Sequence, residues 1–416
     1  MASLANSGNG GDIVQIAEGN ITTESLNSNS EASLADSGNG GNITQTAGSA
    51  LTADVLDSSS RALNNSGDGG DITLTTGSDL TTASLNSSSV ASANSGDGGD
   101  IAQTAGGALT TALVSSYSQA LEGNSGNGGN ILQTAGSVLT TESLWSFSQA
   151  PFGKSGDGGS ISVTAEAIDV NPPAAGNIEQ LTVASFSTSS NDSGNGGDVG
   201  IVSNNLSNME ILTLSADSES GTVRIESQGQ ENLQLNDLSI VTGKELTVEV
   251  PEFLSFRVSD ITVSVGDRGQ SGDVFITSAG NINLNNVRIE SDTKGNRPAG
   301  DVSISTTGGA IAFNNSEILS STSARGNAGN ISINSPLEIE LTDNSRLEAN
   351  TEAAGNAGSI NIQGSSLNLN RDTSLTTETS GAGSPGSISI QANTVDIGRN
   401  ARISATVTVE SNLASV

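Results

Sequence analysis

The sequence predicts an all-β protein wound as a parallel β-helix of roughly fourteen coils, with three short strands in each coil. Three observations carry that expectation. A glycine-rich segment closed by an aliphatic residue, SGDGGDI at 66–72, recurs in close variants that begin at Ser7, Ser37, Ser95, Ser125, Ser155 and Ser193. The closing residue stands at Ile13, Ile43, Ile72, Ile101, Ile131 and Ile161, in steps of 29 or 30. Between these points the local period is two, as in ITLTT (72–76), ISVTA (161–165) and ISINS (331–335). That alternation belongs to half-buried strands and not to helices. Short strands at a fixed period describe units that cannot bury a core alone and do so by stacking.

The second unit shows the elements in order. Its strands are expected in NITQTA (42–47), ALTADVL (50–56) and DSSSRAL (57–63), with glycine and serine at the first turn. After an insertion around NPPAAGNIEQ (171–180), Val199 resumes the series, and Val223, Leu246, Val274, Val302, Ile331, Ile360 and Ile388 continue it. Val223 and Leu246 are placed by spacing alone, because the glycine segment is absent there. Three regions follow: glycine-corner repeats over 1–170, an insertion with shorter coils over 171–270, and repeats of a second dialect over 271–416. The opening MASLANSGNGGDI matches EASLADSGNGGNI at 31–43, so the protein is expected to begin inside a repeat, as a fragment.

Composition narrows the function classes. Charged residues make up 14% and aromatics 2%, which fits a thin repetitive core better than ordinary globular domains. There is no cysteine and no histidine, so disulfide scaffolding, thiolate chemistry and histidine-based triads are excluded. A net charge of −31 argues against nucleic acid and against anionic membrane surfaces. No apolar run reaches membrane-spanning length, so no membrane insertion is expected.

Stacking turns repeat positions into columns. Gln15, Gln45, Leu74, Gln103, Gln133 and Val163 share one column. Its Leu and Val mark it as inward, so its glutamines must pair with each other: Gln15 with Gln45, and Gln103 with Gln133. Leu26, Leu56, Leu85, Val114 and Leu144 form another column. Two rows of serine follow it, at Ser28, Ser58, Ser87, Ser116 and Ser146 and two residues later. The interleaved positions carry Tyr117, Trp145 and Phe147, with Phe152 just beyond. These aromatics are expected on one outer face, either packed under a loop or insertion or exposed as a contact patch.

For the glycine segment, conformational freedom of glycine and local bonding by Asn and Asp explain a corner. A calcium site is the alternative. Asp68, Asp71, Asp97 and Asp100 bring four carboxylates to adjacent coils, and carboxylates are hard ligands suited to calcium. Elsewhere asparagine replaces them, as like charges opposed on neighbouring strands would require.

The second dialect reads GNAGNISINSPLEIELTDNSRLEANTEAAGNAGSINI (326–362) and SSLNLNRDTSLTTETSGAGSPGSISI (365–390). Gly-x-Ala-Gly-x-Ile-x-Ile followed by an alternating strand and an Asp-Asn-Ser-Arg-Leu turn resembles the filamentous haemagglutinin-type exoproteins of two-partner secretion systems, especially the repeat-rich cyanobacterial ones. The resemblance covers 271–405 well and extends to the earlier units. It implies a right-handed β-helix shaft, secreted or displayed at the cell surface through an outer-membrane transporter, and adhesive to a host, neighbour-cell or matrix surface. The family's amino-terminal secretion domain has no counterpart in this sequence.

The expected function is therefore a non-enzymatic surface or secreted shaft. The alternatives are a polysaccharide-active β-helix, which needs paired carboxylates in a groove, and a calcium-stiffened extracellular spacer. Arg61 and Lys154 are the only basic residues among the first 222, and the Asp267–Arg268 and Asp343–Arg346 pairs read as turn residues.

Overall fold

The computed structural model describes residues 5–169, 181–189, 191–229, 231–243, 246–249, 260–263 and 269–408. The protein divides into two compact units, Met1–Gly221 and Thr222–Val416. Each is a stack of parallel coils, and no described residue is helical. In the first unit Ile13–Ala17, Ile43–Ala47, Ile72–Thr76, Ile101–Ala105, Ile131–Ala135, Ile161–Thr164 and Val199–Val202 pair in that order, seven strands deep. In the second, Val223–Glu226, Val274–Ser278, Val302–Thr306, Ile331–Asn334, Ile360–Gln363 and Ile388–Gln391 do the same, six deep. This is a parallel β-solenoid with a coil count close to that expected. Among the described residues no helix is long and apolar enough to cross a membrane.

The register is the one that the repeat spacing dictates. Ile13 lies opposite Ile43, Ile43 opposite Ile72, Ile72 opposite Ile101 and Ile101 opposite Ile131. Within ITLTT the residues alternate between buried and exposed, so each coil contributes one thin layer of side chains to the interior. The second coil holds three strands, Ile43–Ala47, Leu51–Asp57 and Ser60–Ala62. In the next three coils the second and third strands run together as Leu80–Ala91, Leu109–Ala120 and Val138–Ala150.

One sequence expectation changes. Val223 pairs directly with Val274, whereas Leu246 pairs antiparallel with Val263, in a two-stranded sheet of Leu246–Glu249 and Asp260–Val263. Leu246 therefore does not belong to the stacked column. A spacing near 25 residues cannot separate a coil from a hairpin of similar length. Residues 171–180, read as an insertion, lie outside the described residues, as do Asp267 and Arg268.

The second dialect turns differently from the first. Between its second and third strands Asn286, Asn315, Asn344, Asp372 and Asn400 adopt positive φ, between 48° and 67°, as Asp237 does within Leu233–Thr242. Asn and Asp tolerate the left-handed region because a short polar side chain bonds locally. Here the bond runs to the next coil: Asn286 Nδ2 donates to Asp237 Oδ1 at 2.6 Å and Asn315 Nδ2 to Asn286 Oδ1 at 3.2 Å.

Candidate functional site

The most repeated feature, the glycine segment, packs as a third wall and not as a simple corner. In SGDGGDI the N–H groups of Ser66, Gly69 and Ile72 donate to the carbonyls of Asn94, Asp97 and Asp100 on the next coil, at 2.9–3.0 Å. Gly67 N–H points back to the Ser37 carbonyl, and Gly70 N–H crosses the interior to the Ser58 carbonyl at 2.7 Å. Hydrogen bonds thus leave in three directions with a three-residue repeat, as the threefold symmetry of a polyproline II-type backbone permits.

The reason for glycine is corrected by this geometry. The only described glycines with positive φ are Gly229 and Gly243, so the segment does not use glycine for left-handed turns. It uses glycine for close approach. A Cβ on Gly70 would stand 2.6 Å from the Gly41 carbonyl carbon, and one on Gly69 would stand 2.8 Å from Gly99 N. The serine rows complete the wall: Ser116 Oγ donates to the Gly99 carbonyl and Ser118 Oγ to the Gly96 carbonyl, both at 2.6 Å.

The Asn and Asp positions act as clamps. Asn39 Oδ1 accepts the Asp68 N–H at 3.0 Å, while the following Gly40 N–H donates to the carbonyl of the same Asp68 at 2.8 Å. Asp68 and Gly69 hold Asp97 in the same way, at 2.9 and 2.9 Å. Three residues on, Asn42 Oδ1 accepts from Asp71 N at 2.8 Å, and Asp71 Oδ1 from Asp100 N at 2.9 Å. Only an Oδ1 acceptor is required, which is why Asn and Asp interchange along each row. Asp68, Asp71, Asp97 and Asp100 are exposed. They line a shallow groove of about 570 Å³ floored by Gly69, Gly70, Gly98 and Gly99. They stand in two rows, and among the described residues no three acidic side chains converge on one point.

The glutamine column lies inside. Gln45, Gln103 and Gln133 are fully buried, and Gln15 is half-buried. Gln45 Nε2 donates to Gln15 Oε1 at 2.6 Å, and Gln133 Nε2 to Gln103 Oε1 at 2.7 Å. Gln103 Nε2 turns to Thr82 Oγ1 at 3.1 Å. Each pair ends on a buried oxygen that meets no donor, Gln45 Oε1 and Gln133 Oε1, where the column continues with Leu74 and Val163. Leu74→Gln is therefore expected to join both pairs into one ladder and to stay within about 1 kcal/mol of wild type in urea denaturation. Leu80→Gln, in a column with Leu51 and Leu109, is expected to lose about 3 kcal/mol.

The aromatic residues depart from the contact-patch expectation. Tyr117, Trp145 and Phe147 do lie on the opposite side of their strands from the inward serines, yet they are only 3%, 5% and 1% exposed. Tyr117 and Phe147 stack at 4.6 Å between ring centroids, and Phe147 and Phe186 at 4.8 Å. Trp145 meets the edge of Phe186 at 6.4 Å. The column runs Ser88, Tyr117, Phe147, Phe186, Leu214. These rings form a packed second core on the far side of the strands and not a binding surface. Phe152, 71% exposed, is the one residue of the four that faces solvent. Phe186 is not foreseen by the alternation alone. Its signal is the Ser-aromatic-Ser triplet that SSYSQ, WSFSQ and ASFST share.

Burial pushes the Tyr117 phenol above its ordinary value of 10.0. A folded-state value raised above the unfolded one gives stability that is complete below the unfolded value and lost as pH rises through the folded one. Stability is thus expected to fall above about pH 10, and Tyr117→Phe to lessen that fall. Identical alkaline midpoints for the two proteins would remove this assignment.

In the second unit a groove of about 490 Å³ is lined by residues that include Arg288, Glu317, Arg346 and Asp372. Glu317 lies between Arg288, to which it is paired, and Arg346, whose Nε is 2.6 Å from its carboxylate. Asp343 pairs with Arg371 at 3.0 Å instead of with Arg346. Cross-strand pairs of opposite charge support the stack at about 0.2–1 kcal/mol each.

No family model, no curated protein and no solved structure matches this protein.

Proposed function

We propose that the protein is a non-enzymatic, secreted or cell-surface β-helical shaft of an adhesin-like exoprotein, with a role in adhesion, aggregation or matrix building. The observation that supports this best is the use of the repeated residues. Glycine, serine, Asx and glutamine columns all bond coil to coil, so the repeat serves length and stiffness. The net charge of −31 suits a solvated exterior, and the second-dialect motifs support export through the outer-membrane transporter of a two-partner secretion system. Phe152 supplies an exposed aromatic for contact with a host, neighbour-cell or matrix surface. Purified protein is expected to bind cells or extracellular matrix, and Phe152→Ala to bind less. Protein that binds neither cells, glycans nor matrix, and does not self-aggregate, would overturn the reading.

Calcium belongs to the same proposal as a stiffening cation along the groove of Asp68, Asp71, Asp97 and Asp100. A melting temperature unchanged by millimolar calcium removes it.

A second reading has one observation in its favour. The groove lined by Arg288, Glu317, Arg346 and Asp372 holds two carboxylates beside guanidinium groups, and a polysaccharide-active β-helix needs paired carboxylates in a groove. Depolymerisation of any polysaccharide in a panel of acidic and neutral polymers, lost in Glu317→Gln, would replace the shaft by an enzyme.

A further inference from the structure

The sequence holds four Asn-Gly pairs, Asn9–Gly10, Asn39–Gly40, Asn127–Gly128 and Asn195–Gly196, and all four lie in the glycine wall. We propose that these are latent deamidation sites that the neighbouring coil holds shut, so that chemical ageing of this protein reports the opening of individual coils.

Asn-Gly is the dipeptide most prone to this reaction, because glycine has no side chain to hinder ring closure. The glycine nitrogen, once its proton is lost to base, attacks the asparagine Cγ. A bond from that nitrogen to Cγ forms and closes a succinimide, the Cγ–Nδ2 bond breaks, and ammonia leaves with the proton. Water then opens the ring at either carbonyl, giving aspartate or isoaspartate. The net change is addition of water and loss of ammonia, with no oxidant or reductant.

Both reacting groups are engaged elsewhere in the fold. Gly10, Gly40, Gly128 and Gly196 each donate their N–H at 2.8 Å, to the carbonyls of Asn39, Asp68, Asp157 and Glu219. The same four residues donate their N–H to Oδ1 of Asn9, Asn39, Asn127 and Asn195, at 3.0, 3.0, 2.8 and 3.3 Å. One residue of the next coil therefore grips the electrophile and the nucleophile together. Attack requires the side chain to swing back onto its own backbone, which breaks both bonds at once.

The two products have opposite consequences. Aspartate keeps the clamp, since Asp68, Asp97 and Asp157 already occupy this position and each accepts the same bond. Isoaspartate routes its backbone through the former Cγ. That lengthens the wall and removes the Oδ1 arm, so the coil cannot restack in register. An opening event thus becomes permanent at the coil where it happened.

The test is peptide mapping by mass spectrometry, with isoaspartate resolved, after incubation of the full-length protein at pH 8 and 37 °C. In native buffer all four asparagines are expected to survive conditions under which the protein in urea loses them, with rates at least tenfold apart. Asp68→Pro removes the N–H that holds Asn39 and is expected to accelerate Asn39 while sparing Asn127. Equal rates in native and unfolded protein overturn the proposal. So does an Asp68→Pro protein in which all four sites react together, because the gate would then be global unfolding. Native-state hydrogen exchange gives an independent check: exchange of Gly40 and Gly128 amides must order with the deamidation of Asn39 and Asn127.

Discussion

Gly70→Ala is expected to destabilise the first unit by about 3 kcal/mol or more, at the upper end of what overpacking costs. Most overpacked sites relax because the atom met is the end of a flexible side chain. Here the new methyl would meet the Gly41 backbone of the preceding coil and the Ser58 hydroxyl across the interior. Neither can retreat. The Gly41 carbonyl is fixed in its own wall, and the Ser58 Oγ is already donating to it. Relief would demand that these two coils separate, with loss of the hydrogen bonds that Ser37, Gly40 and Ile43 send to Asn65, Asp68 and Asp71. The protein supplies its own control. Gly11 occupies the same repeat position, and a Cβ built there meets nothing within 4 Å. Gly11→Ala is expected to be near neutral. Urea denaturation of both variants checks the pair, and equal losses would show that glycine serves backbone freedom and not close approach.

Phe147→Ala is expected to cost about 3–5 kcal/mol, the range for removing a buried aromatic ring. Phe147 is the middle ring of three, nearly parallel to Tyr117 at 8° and to Phe186 at 4°. Its removal leaves both neighbours facing a cavity, because each is fixed by a strand hydrogen-bonded on either side. Phe147→Leu keeps most of the volume and is expected to cost less than half as much. The measurement is again denaturation, with near-ultraviolet circular dichroism to follow the stack. A contact-patch role predicts the reverse: unchanged stability for Phe147→Ala and loss of surface binding.

Much of the fold was legible because a solenoid writes its contacts as spacing. Ile13, Ile43 and Ile72 are alike because they touch, and the constant step between them is the register itself. The glutamine pairs were legible for the same reason: a buried amide must find a partner, and the nearest candidate is its own repeat one coil away. Where the spacing lost its marker, as at Leu246, counting no longer separated a coil from a hairpin. The candidate sites were less legible. Alternation shows that Tyr117 and Phe147 lie opposite the inward serines, yet it does not show whether that second side is wet or covered. The sequence offers the Asp68 row as metal ligands, and carries no record of the backbone amides that these carboxylates also accept from.

By itself the sequence determined the all-β class, the period, the identity of the stacking columns and the pairing of Gln15 with Gln45 and Gln103 with Gln133. Each follows from residues repeated at a fixed step, which is information along one dimension. Only the tertiary structure decided why the wall is glycine, what the Asx rows bond to, and that three aromatic side chains are interior. Those depend on which groups meet between neighbouring coils and across each coil. Distance across the coil is set by how closely two walls approach, and no spacing along the sequence records it.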